Sequence, residues 1–109
     1  TNRSKNPMVG KTLPLSHELF DFAETIFDVL ESRQVTLSKK GEDKGVRLSF
    51  EGFPYLIVWS KPEGDFVAVE PWGGLSTCSD EDDVLEHKRG CLVAKPKETV
   101  VRSFTIEIL

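Results

Sequence analysis

"YLIVWSKPEGDFVAVEPW", Tyr55 to Trp72, decides how the chain folds. Its first five residues are apolar on both alternating faces, as in a strand covered from two sides. Pro62, Glu63, Gly64 and Asp65 supply a turn. A second apolar strand, Phe66 to Glu70, then stops against Pro71, which has no backbone donor to continue a ladder.

Working upstream, "VRLSF" alternates Val46, Leu48 and Phe50 against Arg47 and Ser49, and "RQVTL" puts Val35 and Leu37 on one face. Lys39 to Lys44, with Gly41 and Gly45, makes the turn between them. Downstream, "PWGGLSTCSDEDD" reads as a long loop with an acidic knot. "CLVAK" (91–95) and "TVVRSFTIEIL" (99–109) are predicted strands joined at Lys95-Pro96-Lys97-Glu98, with Val100, Phe104, Ile106 and Ile108 on one face. Short strands with turn signals between them predict an all-β, antiparallel β-sandwich. Between Leu13 and Ser32 the period differs. Leu19, Phe20, Ala23, Ile26, Phe27 and Leu30 recur at helical spacing, with Ser16 as an N-cap, and predict an amphipathic helix. Residues 1–12 have no periodicity and read as a loop or a connection arriving from upstream sequence, with 13–109 forming the sandwich portion. The chain starts at Thr1 rather than Met and opens without a strand, so it is expected to be part of a larger sandwich.

The 109 residues fit one domain or part of one, and 39% hydrophobic with 29% charged residues is the balance of a soluble globular protein. No apolar run reaches membrane-spanning length, and no signal-peptide layout is present. A net charge of -4 disfavours a nucleic-acid partner. Two cysteines make no disulfide framework, which points to a reduced, cytoplasmic setting.

Glu70 is the first candidate site. Phe66, Ala68 and Glu70 share one strand face, so the carboxylate ends an apolar row, partly desolvated and suited to taking a proton. A lone acid at a strand end is more often an ordinary solvated terminus. Trp72 beside it raises the interest of the site, since an aromatic next to an acid suits a sugar, although it would serve equally as a lid on the core. Cys78, His87 and Cys91 have spacing C-x8-H-x3-C, which matches no structural-zinc pattern, and the acidic run Ser79 to Asp83 lacks the glycine and glutamate of an EF-hand. His17, at a helix start, reads as a capping or packing residue. No phosphate-binding loop, nucleophile elbow or CxxC motif occurs.

"GFPYLIVWSKPEGDFVAVEPWGG" (52–74), with "LPLSHELF", "SRQVTL", "GVRLSF" and "EHKRGCLVAKPKETVVRSFTIEI" around it, resembles the C-terminal part of the aldose 1-epimerase (galactose mutarotase) family, in its bacterial galactose-mutarotase-like branch. The likeness covers nearly everything after Thr12. It implies a galactose mutarotase-like supersandwich, of which this chain is the C-terminal portion, and interconversion of the α and β anomers of an aldohexose without metal or organic cofactor. Glu70 falls at the position of the family's general base, and the acid, a histidine, would lie upstream of this chain. Neither His17 nor His87 matches it, so the segment alone is expected to be inactive. Trp72, the Gly73-Gly74 turn and Trp59 would shape the pocket. The resemblance further implies that the remainder of the sandwich is a partner. A family acid that holds sugar hydroxyls would fall near Ala23, where only Asp21 and Glu24 are close, so a non-catalytic carbohydrate-binding module is the rival reading. A sugar-phosphate mutarotase is another, but it needs an Arg or Lys cluster that the sequence does not place near Glu70. Finally, the resemblance implies one short helix near residues 16–21 and a strand near Thr25–Val29. That reading is preferred over a continuous helix because Thr25, Ile26 and Val29 are β-branched.

Overall fold

A computed structural model describes residues 5–21 and 23–109. Among them, the period-two segments form strands, and the central pair of the chain sets their arrangement. A helical turn, His17–Phe20, is followed by β1 (Thr25–Phe27), β2 (Gln34–Ser38), β3 (Gly45–Ser49), β4 (Tyr55–Trp59), β5 (Ala68–Trp72) and β6 (Thr105–Ile108), with a further helical turn, Leu85–His87, before β6. The strands make two antiparallel three-stranded sheets, ordered β1-β4-β5 and β2-β3-β6. The protein is all-β, as the alternating pattern predicts.

The sheet positions follow from residue type. β4 is apolar on both faces and takes the middle of its sheet, with Tyr55, Leu56, Ile57 and Val58 all buried. β2 alternates exposed Gln34, Thr36 and Ser38 with half-buried Val35 and Leu37, so only one of its faces is covered. Leu48, Phe50 and Leu56 form the core, packed against Phe27, Leu30, Val35, Phe53 and Val69. That cluster draws on both sheets and is what joins them. Phe50 and Ile57 are fully enclosed, and burial of each contributes roughly 1.5–3 kcal/mol.

The core stops short of β6. Ile106 and Ile108 pair with Leu48 and Val46 and therefore share the apolar face of β3, yet they are 58% and 78% exposed. The Cα radius of gyration, 15.8 Å, is likewise larger than the ~13 Å of a compact domain of this length.

Three sequence expectations change. Periodicity favoured one helix from Leu13 to Ser32, but the chain makes a short helical turn at His17–Phe20 and then the strand β1, as the family resemblance implied. Pairing decides this outcome: Thr25, Ile26 and Phe27 each face a β4 residue, which a helix could not do. Ser16 precedes the turn without a capping side-chain bond, although its carbonyl accepts from Leu19 N–H at 3.2 Å. "CLVAK" is not a strand. Leu92 and Val93 are 50% and 57% exposed and have no ladder partner among the described residues, so β-propensity alone does not extend the segment. In the last predicted strand only Thr105–Ile108 pairs, while residues 99–104 stay irregular. Residues 5–16 are irregular too, apart from a bridge between Val9 and Thr12.

Candidate functional site

Pro71 does not end its strand. β5 runs through it to Trp72, with Pro71 opposite Leu56. β5 is an edge strand, where a missing N–H is tolerated. The consequence is local: Ala68, Glu70 and Trp72 all project from one face, and Tyr55, Ile57 and Trp59 of β4 project beside them. Phe66 lies outside the strand, so the row on this face runs Ala68, Glu70, Trp72, with the acid in its middle rather than at its end as the sequence predicts.

Glu70 faces Ile57 across the ladder, with Trp59 on its diagonal. Trp59 donates its indole Nε1–H to Glu70 Oε1 at 2.6 Å, and Trp72 donates Nε1–H to Oε2 at 2.9 Å. Both carboxylate oxygens are thereby held by neutral donors on half-buried side chains. Hydrogen bonds to an ionised acceptor are short and strong. Each oxygen keeps a further lone pair for another donor, so the carboxylate is oriented yet still able to accept. The structure thus brings together the three residues singled out in the sequence: Glu70, Trp72 and Trp59.

The connection from β4 to β5 fixes this arrangement. Gly64 N–H donates to the Lys61 carbonyl at 3.0 Å, and buried Ser60 donates its hydroxyl to the Phe66 carbonyl at 2.6 Å. Phe66 then meets Trp59 edge to face, centroids 5.4 Å apart and planes at 87°. That contact restrains the indole whose N–H meets Glu70. His17 approaches the same connection, with Nε2 3.0 Å from the Gly64 carbonyl, which requires the proton on Nε2. Its role is to pack and bond the turn.

The remaining candidates are absorbed by local structure. His87 Nδ1 lies 2.6 Å from Asp82 Oδ2, and this hydrogen bond is the first reason that Asp82 is held below the usual carboxylate range. Glu81 accepts the Cys78 backbone N–H at 3.0 Å, which lowers its pKa in the same way, while Lys88 Nζ approaches it at 3.6 Å. Arg89 pairs with Asp80 at 2.6 Å. Cys78 and Cys91 are not joined in a disulfide. Ala23 and its acidic neighbours Asp21 and Glu24 are exposed.

Two basic residues escaped the sequence reading. Arg102 Nη1 lies 2.5 Å from where a Cβ on Gly73 would stand, next to Trp72. A positive charge therefore does come close to the end of β5, although sequence distance hid it. Arg33 lies on the apolar side of β2, with its guanidinium 5.8 Å above the Phe50 ring. The signal available for Arg33 was its place two residues before Val35 on the same alternating face. For Arg102 no local pattern existed.

Compared with known proteins, the chain is 41% identical over 100 residues to two proteins of Lactococcus lactis subsp. lactis, "Protein LacX, plasmid" and "Protein LacX, chromosomal". Each alignment covers 91% of this chain and 33% of the relative, so the chain spans about a third of the length of the curated relatives it matches. No family model matches, and no solved structure does.

Proposed function

We propose that this chain carries the general-base half of an aldose 1-epimerase site, with Glu70 as the base. The observation that carries the reading is the carboxylate held at both oxygens by the indoles of Trp59 and Trp72, at the position where the family resemblance puts its base. In the reaction Glu70 takes the proton of the sugar C1 hydroxyl as the C1–O5 bond breaks. The C1 oxygen becomes a carbonyl, and an acid delivers a proton to O5. Rotation about C1–C2 and the reverse transfers then give the other anomer. The acid, a histidine in the resembling family, would come from sequence preceding Thr1.

A fixed base supports this chemistry because proton transfer needs a set position within hydrogen-bond reach. The two indoles also provide flat apolar surface beside it, which suits the C–H face of an aldohexose. Exposed Ile106 and Ile108 of β6, with Val46 of β3, would be covered by the remainder of the sandwich, consistent with relatives about three times as long. Cysteines outside any disulfide fit a cytoplasmic setting. Among the described residues no helix is long and apolar enough to cross a membrane.

The test is Glu70→Gln in the full-length chain, with anomer exchange followed by polarimetry or NMR. A loss on the order of 10²–10⁴-fold is expected, and unchanged exchange would overturn the assignment. A second reading, a carbohydrate-binding sandwich without turnover, is favoured by Ala23 standing where the family has an acid. Sugar binding with no exchange in the unaltered protein would select it.

A further inference from the structure

Arg33 and Arg102 line one open cleft of ≈ 430 Å³, together with Gly52, Phe53, Gly90 and Cys91. The turn from Phe50 to Phe53 builds its wall. Phe50 N–H donates to the Arg33 carbonyl at 2.9 Å, which extends the β2–β3 ladder by one pair and puts Arg33 directly across from Phe50. Phe53 N–H donates back to the Phe50 carbonyl at 3.1 Å, and Gly52 takes φ +84, a value that favours glycine. Each phenylalanine carries a guanidinium on its ring: Arg33 lies 5.8 Å above Phe50, and Arg102 lies 5.6 Å above Phe53. Stacking of this kind holds the planar fork in place.

Arg33 Nη1 is sealed from solvent and has no hydrogen-bond partner among the described residues. Among the described residues neither arginine forms an ion pair, whereas Arg47, Lys88 and Arg89 all do. A buried guanidinium nitrogen without an acceptor is costly, and the cleft carries two positive charges on its lining. Gly90 closes another side of the cleft. A Cβ there would stand 2.7 Å from the Tyr55 ring and 3.1 Å from the Gly73 carbonyl, and its φ is +67. Among the described residues no acidic side chain lines the cleft.

We infer that the Arg33–Arg102 cleft binds an oxyanion, the phosphate or carboxylate group of a small ligand. Such a group offers the coplanar oxygen pairs that a guanidinium fork accepts bidentately, and it neutralises both charges at once. The inference does not depend on the role of Glu70, because the cleft is built from other side chains.

The test uses the full-length chain, with arginine side-chain N–H resonances followed by NMR. Inorganic phosphate is titrated against acetate, and glucose 6-phosphate against glucose. Saturable shifts of the Arg33 and Arg102 resonances are expected with phosphate or acetate, and Arg102→Met should weaken binding at least tenfold with the backbone spectrum retained. Arg33→Met should do the same. If it fails to fold, Arg102→Met decides. Glucose 6-phosphate binding more tightly than inorganic phosphate would identify a sugar-borne group, and equal binding would identify a free anion; both outcomes support the site. Absence of saturable shifts, phosphate affinity unchanged in Arg102→Met, or an Arg33 guanidinium already bonded to an acceptor elsewhere in the full chain would each overturn it.

Discussion

Glu70 and Arg33 occupy similar places and meet opposite fates. Each is a charge in line with an apolar strand face, Glu70 between Ala68 and Trp72 on β5 and Arg33 just before Val35 and Leu37 of β2. Glu70 has an indole N–H on each oxygen, supplied by Trp59 and Trp72. Arg33 has an aromatic ring beneath it but one nitrogen closed off from water and bonded to none of the described residues. Taking a charge out of water is unfavourable unless hydrogen bonds replace the lost solvation. The fold supplies that replacement for the anion and withholds it from the cation. A charge satisfied from within is a positioned group, ready for chemistry; a charge left unsatisfied is an open valence for something else.

The difference makes opposite forecasts for stability. Glu70→Leu keeps an apolar side chain of similar reach and strands two half-buried indole donors. It should lower unfolding free energy by about 1–3 kcal/mol, read from the urea midpoint. Arg33→Met loses only the contact with Phe50, worth about 0.5–1 kcal/mol, and removes an uncompensated buried charge. Its midpoint should be unchanged or higher. An Arg33→Met protein as destabilised as Glu70→Leu would break the comparison, because it would mean that Arg33 is already satisfied by a protein group.

The two sites also differ in how much of them could be read beforehand. Glu70 and Trp72 were legible because strand alternation is a local rule, and a short turn set the two strands side by side. Trp59 needed one more step, the register that puts Ala68 across from it and Glu70 on its diagonal. β2, β3 and β4 were found to within a residue, since each alternates or is apolar throughout. Arg33 was visible only as a basic residue near a strand start; its partnership with Phe50 depends on a cross-strand pair with a residue far along the chain. Arg102 was not legible at all. Its approach to Gly73 and Phe53 is set by the path of an irregular segment whose apolar residues mimic a strand and find no ladder partner. Local periodicity likewise mistook the region before β1 for a helix, because Ile26 and Phe27 satisfy both periods and only the pairing with β4 separates them.

The loop from Cys78 to Arg89 gives the comparison a third member, the Asp82–His87 and Asp80–Arg89 pairs, which meet in water rather than at an apolar edge. Asp82 is held below its ordinary 3.8, chiefly by the hydrogen bond from His87 and then by Val84 N–H. Glu81 is held below 4.5, chiefly by Cys78 N–H. A lowered carboxylate contributes order above its ordinary value and loses that contribution as pH falls through the lowered one. The loop should therefore begin to loosen as pH drops below 4.5, through Glu81, and loosen further below 3.8, through Asp82, seen as loss of amide protection first at Cys78 and then at Val84. His87→Ala should move the Asp82 titration back up toward 3.8, measured by carboxyl-carbon NMR. The urea midpoint at neutral pH should hardly change, because exposed pairs add little to global stability. A large fall in that midpoint would mean that the loop braces the core, and that the satisfied anion at Glu70 is not distinguished by its setting on the apolar sheet.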